Sequence, residues 1–268
     1  MSLSRVVGEL TVTSLNDAEG PHFDRREDAF PAATREDWAA ADGVDPAART
    51  ADGRWWLHFR TFAIRYGQGP VTLVDAGIGP AGSLAADWAP VPGRLPSELA
   101  NAGIDAADVE TIVLTHLHTD HIGWAVPADS PFGNARVVVQ RADVDAWAAA
   151  RESARQEEVL LQPLRSAGRL HVVDGDADLR PGVRVNATPG HTPGHQSVLV
   201  SAGDERLLIT GDLLVHAVQL LDPELAYRHD MDAARARVMR AETLRDLAST
   251  GSWLAVSHLG EPFWRTGK

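Results

Sequence analysis

The chain has 268 residues, 44% of them hydrophobic and 23% charged, which is enough to bury a sizeable core. A formal net charge of -12 with no basic run argues against nucleic acid, whose phosphates are met by clustered Lys and Arg. There is no cysteine, so disulfides, thiolate nucleophiles and thiolate-bound zinc are excluded, and a metal would have to be held by His, Asp or Glu.

Val6 to Asp17 alternates apolar and polar residues, which predicts an opening strand. Residues 17–54 are charged and rich in Pro, Gly and Asp. One short helix is expected there, with Thr34 as N-cap and Asp37 at the third helical position. The remainder reads as an irregular, lid-like segment, because Phe23, Phe30 and Trp38 would be wasted in a disordered tail. "WWLHFRTFAIRY" and "GPVTLVDAGIG" read as successive strands, "LPSELANAG" as a short helix and "ETIVLT" as a buried strand. After the strand "ARVVVQ", "RADVDAWAAARESA" and "EEVLLQPLRSAG" are helical, the second closing at Gly168.

A strand-rich half follows: "RLHVVD", "VRVNATPG", "QSVLVSAG" and "RLLITGD", the last two joined by the turn Ala202 to Glu205. Residues 232–250 form the clearest amphipathic helix, with Ala234, Val238, Ala241, Leu244 and Leu247 on its apolar face. The strand "WLAVS" then leads to His258. Helices fall between groups of strands rather than after each one. The expected class is therefore α/β, with two mixed sheets sandwiched by helices, and a single domain over residues 1–268. The start lacks a basic, then apolar, leader pattern, and no stretch approaches the roughly 20 apolar residues of a membrane span. A soluble cytoplasmic protein without a membrane partner is expected.

The densest chemistry lies in "LTHLHTDHIGW" (residues 114–124), which holds three of the eleven histidines. His116 and His118, two apart on an extended segment, project to one side. A turn into a helix would carry Asp120 and His121 round to a neighbouring position. Downstream, His191 and His195 follow a predicted strand, and Asp212 and His258 stand at two further strand ends. Each is a ligand type emerging from an apolar strand, where burial is costly without a partner. Imidazole and carboxylate are the donors expected around zinc and similar divalent ions when thiolate is lacking.

From "VTLVDAG" to "SHLG" the chain resembles the metallo-β-lactamase fold superfamily, whose HxHxDH signature "HLHTDH" matches. The resemblance implies a four-layer αββα sandwich and two divalent ions, zinc foremost, with iron or manganese as alternatives. It implies His116, His118 and His191 at one ion, Asp120, His121 and His258 at the other, and Asp212 bridging both. In relatives with the doubled "TPGHTPGH" phrase the first histidine is the ligand, which leaves His195 a supporting role. Asp75 in "LVDAG" is expected to orient a ligand imidazole, and Asp120 to help move protons.

The implied activity is hydrolysis of a small ester, lactone, thioester or phosphoester by a metal-bridging hydroxide, without a Ser or Cys nucleophile. Asp212 stands where true β-lactamases carry Cys or Ser, so the chain looks like the dinuclear hydrolases: N-acyl homoserine lactonases, methyl parathion hydrolase-like enzymes and glyoxalase II. The segment after Asp212 lacks the basic patch that glutathione would need, and Val215 stands where one type of homoserine lactonase carries Tyr. A mononuclear iron persulfide dioxygenase is the rival enzyme, and a non-catalytic metal-binding interaction module the rival of another class. Trp124 and Leu214 are the first expected pocket-lining residues, followed by Phe30, Trp38, Phe263, Trp264, His216 and His229. The expected partner is a small-molecule substrate, with a homodimer as the candidate assembly.

Overall fold

The computed structural model describes residues 3–150 and 154–267. Seven strands form the first sheet in chain order: β1 (Ser4–Val7), β2 (Leu10–Pro21), β3 (Trp56–Tyr66), β4 (Val71–Val74), β5 (Val109–Val113), β6 (Arg136–Gln140) and β7 (Leu170–Val173). Its first four strands are antiparallel, and β4 to β7 are parallel. The second sheet holds β8 (Ala177–Arg180), β9 (Val183–Ala187), β10 (Gln196–Ala202), β11 (Glu205–Ile209), β12 (Trp253–Ala255) and β13 (Phe263–Arg265). All its pairs are antiparallel except β11–β12, which are linked through the helix Ala233–Thr250. The expected α/β class, two mixed sheets flanked by helices, is what the chain adopts.

The sheets meet through β-branched residues: Val12, Ile64, Val74, Val113 and Val138 of the first against Val185, Val198, Val200 and Ile209 of the second. The parallel strands β4 to β6 are buried on both faces, which explains their continuous apolar runs. The outer face of the first sheet packs against Leu95, Leu99, Leu160, Leu161 and Leu164 of the helical segments. The outer face of the second packs against Trp38, Val218 and Leu247. Among the described residues no helix is long and apolar enough to cross a membrane.

Several expectations shift in detail. The strand from Leu10 runs on to Pro21, into a stretch expected to be irregular, because pairing with β3 continues past a bulge between Asn16 and Ala18. The helix Arg35–Val44 starts at Thr34, and its capping box with Asp37 is present. The helix from Arg141 is described to Ala149, and residues 151–153 of the predicted segment lie outside the described residues. On Ala233–Thr250 the buried face is Ala236, Arg240 and Leu247, while Val238 is 54% exposed. The apolar pattern placed Leu244 and Leu247 against the core but misplaced Ala234 and Val238, because an arginine with internal partners occupies an inward position.

The bulge in β2 directs Asp17 into the molecule, where its carboxylate accepts from Ile78 N at 2.7 Å, Leu95 N at 2.6 Å and Trp124 Nε1 at 3.0 Å. It thereby ties β2 to the loop after β4 and to the segment following the His-rich motif. Asp17→Ala would strand these donors and should cost about 3 kcal/mol of unfolding free energy in chemical denaturation. A loss under about 1 kcal/mol would show that this clamp is dispensable.

Candidate metal centre

β5 ends at Val113, and the chain continues extended through His116 to His118, which caps the four-residue helix Thr119–Ile122. That turn carries Asp120 and His121 into a second group of donors beside the first, with the His121 ring 4.2 Å from that of His116. His191 lies in the loop between β9 and β10, Asp212 in the turn Gly211–Leu213 after β11, and His258 just past β12. Ligand atoms of His116, His118, His191 and Asp212 all lie within 4.8 Å of one another, and those of Asp120, His121 and His258 form a second such group. Asp212 joins the two: its Oδ2 is 3.3 Å from His191 Nε2, and its Oδ1 is 3.2 Å from His121 Nε2 and 3.1 Å from His258 Nε2.

The outer nitrogens decide what the inner ones can do. His121 Nδ1 donates to Asp75 Oδ2 at 2.8 Å, His191 Nδ1 to Asp230 Oδ1 at 3.0 Å, and His258 Nδ1 to the His58 carbonyl at 2.8 Å. In the neutral imidazole this leaves a bare lone pair on each Nε2. In that neutral form three lone pairs face the acceptor oxygens of Asp212, an arrangement that calls for a cation between them, whether a proton or a metal ion. His121 Nε2 and Asp212 Oδ1 have no hydrogen-bond partner although both are buried. Such an array is repulsive by itself and becomes attractive around cations. Five imidazoles and two carboxylates without thiolate suit divalent ions such as zinc, so the donor set fits the metals that the sequence implies.

Without a metal ion, protons on the imidazoles supply that positive charge. Burial alone would lower His121, yet Asp120, Asp212 and Asp75 push its imidazole well above the ordinary range. His258 is raised despite burial by Asp212 and Asp120. Burial opposes ionisation of Asp120 and Asp212, but the facing imidazoles hold both carboxyls below the usual range. The centre calls for positive charge between its carboxylates.

Asp75 adopts a left-handed φ of 63°, strained for a non-glycine residue. Its carboxylate accepts from Thr115 N at 2.8 Å and Thr115 Oγ1 at 3.0 Å besides His121, and these bonds hold the conformation. His195 has both nitrogens engaged. Its Nε2 accepts from Asp212 N at 2.9 Å, while Nδ1 lies 2.9 Å from Thr188 Oγ1 and 3.1 Å from Thr188 O. It positions the Asp212 backbone rather than facing the cluster, and Gly211 (φ 52°) is required beside it, since a Cβ there would meet His195 Nε2 at 2.8 Å.

The supports of His191 escaped sequence reading. Asp143 accepts from Gly194 N at 2.6 Å and from Thr192 Oγ1 at 3.0 Å, fixing the turn that carries His191. Asp230 accepts from buried Arg240, which also donates to the Leu213 and Leu225 carbonyls. Asp230 follows "YRH" in a loop with no periodic signal, so nothing in the linear pattern marks it.

Above the donors opens a cavity of about 220 Å³, with His118, Thr119, Asp120, His191, Asp212 and His258 at its base. Its walls are His22, Phe23, Trp55, Leu57, Trp88, Gln156, Val215, Tyr227 and His229. Trp124 and Leu214, expected to line it, do not. Trp124 turns away to bond Asp17, and Leu214 is buried under the second sheet, leaving Val215 at the wall. Phe30, Trp38 and His216 form an aromatic cluster with Trp55 behind the wall. Phe263 packs between the sheets, and Trp264 donates to the Glu261 carbonyl away from the cavity. Of these secondary candidates His229 alone is a wall residue, held by Asp24 Oδ2 at 2.7 Å.

Residues 60–254 match the family model described as the metallo-beta-lactamase superfamily. Among curated proteins, an N-acyl homoserine lactonase of Bacillus sp is 35% identical over 107 residues, covering 40% of this chain and 39% of that protein. N-acyl homoserine lactonase AttM of Azorhizobium caulinodans is 34% identical over 182 residues, 58% of this chain and 60% of that one. The matches thus span less than two thirds of these relatives' length. Among solved structures, hydrolase AbOPH of the beta lactamase superfamily superposes with a TM-score of 0.82 at 24% identity, covering 97% of this chain and 91% of its own. AidC, a dizinc quorum-quenching lactonase, gives 0.78 at 22% identity, with 100% and 97% covered. These likenesses show a shared fold.

Two outcomes test the ligand geometry by elemental analysis of purified protein. His191→Ala should lose metal, while His195→Ala should retain most of it; the reverse would overturn the assignment. Asp230→Asn should weaken metal affinity by roughly 10- to 100-fold through the misoriented His191, and unchanged affinity would remove Asp230 from this role.

Proposed function

The chain belongs to the metallo-beta-lactamase superfamily, and from that premise we propose that it is a metal-dependent hydrolase of small, neutral esters or lactones. The observation that carries this reading is the meeting of bare imidazole lone pairs and carboxylate oxygens at the base of an aromatic-walled cavity. Two divalent ions there would lower the pKa of a shared water towards neutrality and polarise the attacked oxygen. His116, His118 and His191 would hold one ion, Asp120, His121 and His258 the other, with Asp212 between them. Zinc is the metal this donor set favours.

The chain's own groups supply the rest. Asp120 lies at the cavity base with its Oδ2 3.4 Å from His121 Nε2, where it can hold a proton during cleavage. Trp88 donates to Thr119 Oγ1 at 3.0 Å and closes the wall beside the donors. Residues 17–54 serve as a fixed wall, because His22 and Phe23 face the cavity while Phe30 and Trp38 anchor the segment behind it. Among the described residues no Lys or Arg lines the cavity, so an anionic substrate such as a glutathione thioester or phosphodiester would find no counter-charge from these walls. The aromatic and aliphatic walls suit a neutral acyl or aryl group. The curated lactonase relatives support the same choice.

Metal-replete protein assayed on esters, lactones, thioesters and phosphotriesters should cleave neutral esters or lactones, lose that activity to a chelator and regain it with zinc. Failure on all four classes would end the hydrolase reading. Iron retention with oxygen uptake on a persulfide would favour the dioxygenase instead.

A further inference from the structure

One wall of the cavity carries a phenol whose surroundings dictate where its proton points. Tyr227 is 7% exposed. Its ring lies nearly parallel to Phe30, with centroids 5.1 Å apart, and to His191, at 6.0 Å and 16°. Among the described residues its hydroxyl makes a single hydrogen bond, a 3.5 Å contact with His22 Nε2. His22 is itself fixed, stacked on Phe23 at 4.1 Å and tilted against Trp55 at 4.3 Å.

The tautomer of His22 settles the direction. The Asp24 backbone N–H, a donor in either tautomer, points at His22 Nδ1 at 3.0 Å and needs a lone pair there, whereas the Asp24 carbonyl lies farther from the same nitrogen at 3.3 Å. Burial keeps this imidazole neutral, pushing it down to about 4, so its one proton sits on Nε2 and faces the tyrosine oxygen. With that oxygen accepting from His22, the phenolic proton must point elsewhere, and Tyr227 borders the cavity. His229, whose ring lies 5.2 Å from that of Tyr227, is already committed to Asp24, and Trp88 elsewhere on the wall to Thr119.

Resting on the hydrolase reading above, we propose that the Tyr227 hydroxyl donates a hydrogen bond to the carbonyl oxygen of the ester or lactone under attack, and that His22 is the positioning residue that aims its proton. A donor aimed where negative charge develops strengthens its bond as the charge grows and acts on rate more than on binding.

Tyr227→Phe in the metal-replete protein should lower kcat on the order of 10- to 100-fold, with KM within about threefold and metal content and Tm unchanged. Across aryl esters the loss should be the same for good and poor leaving groups. A loss that grows with poorer leaving groups would assign the phenol to the leaving oxygen and overturn the proposal, as would an unchanged kcat. If Tyr227→Phe loses metal or fold, fluorotyrosine at position 227 keeps the ring and alters only the donor; an unaffected kcat then overturns the proposal. His22→Phe keeps an aromatic ring against Phe23 and Trp55 and should give a smaller loss in kcat, again without a change in metal content.

Independently of activity, imidazole 15N NMR of His22 in metal-free protein should show a bare Nδ1 and a protonated Nε2. The opposite tautomer would overturn the positioning role. If the wild type cleaves no ester or lactone, the hydrolase reading falls and this donor role with it. If the wild type is active and the variants match it, this inference alone falls.

Discussion

Everything at this centre depends on imidazoles pinned by the nitrogen that faces away from it. Asp75, Asp230 and the His58 carbonyl each accept a hydrogen bond from the Nδ1–H of a histidine and so turn its Nε2 inward. Moving carboxylates such as Asp212 out of water costs several kcal/mol per ion, and only positive charge on or between the facing imidazoles repays it. The arrangement is therefore poised for cations, and the fold must supply the rigidity that holds it. It does so by bringing the ends of β5, β11 and β12 and the loop after β9 to one place, each strand anchored between two sheets. The outer partners come from different strands and loops, so the site is a property of the whole sandwich.

How much of this could be read from the chain follows from how local each determinant is. "HLHTDH" was legible because its four candidate ligands, three His and one Asp, sit within one extended segment and one short turn. His191, Asp212 and His258 were legible because polar ligands at the ends of apolar strands stand out. Asp230, Asp143 and Arg240 were not, because their meaning lies in partners far along the chain: His191 from Asp230, Gly194 from Asp143 and Leu213 from Arg240. Trp124 and Leu214 show the converse error. Chain neighbours of a ligand need not share its direction, and extended backbone at Leu214 puts Val215, not Leu214, on the cavity wall.

The N-terminal segment gains its order in the same non-local way. Its Pro, Gly and Asp content hides any period, yet Phe30 and Trp38 close around His216, and Asp24 bonds His229. Both partners belong to the stretch after Asp212, which by itself reads as loop. Two segments without a strong local preference thus order each other, and the cavity wall is their interface. Burial drives His216 down to about 3, which keeps this ring an uncharged member of the aromatic cluster.

The placement of positive charge completes the argument. Two arginines are buried close to the centre, and neither faces the cavity. Arg60 donates to the Leu259 and Gly260 carbonyls, next to His258, and Arg240 to the Leu213 carbonyl, next to Asp212. Guanidinium is well suited to this use, since its fixed fork satisfies several carbonyls of an irregular loop at once. Arg240 also pairs with Asp230, and with both guanidiniums so engaged neither enters the cavity, where it would repel the metals that the carboxylates await. Among the described residues no cation lines the cavity, so positive charge from these walls would be lacking and a substrate would be oriented by its coordinating oxygen and by the shape of the aromatic wall.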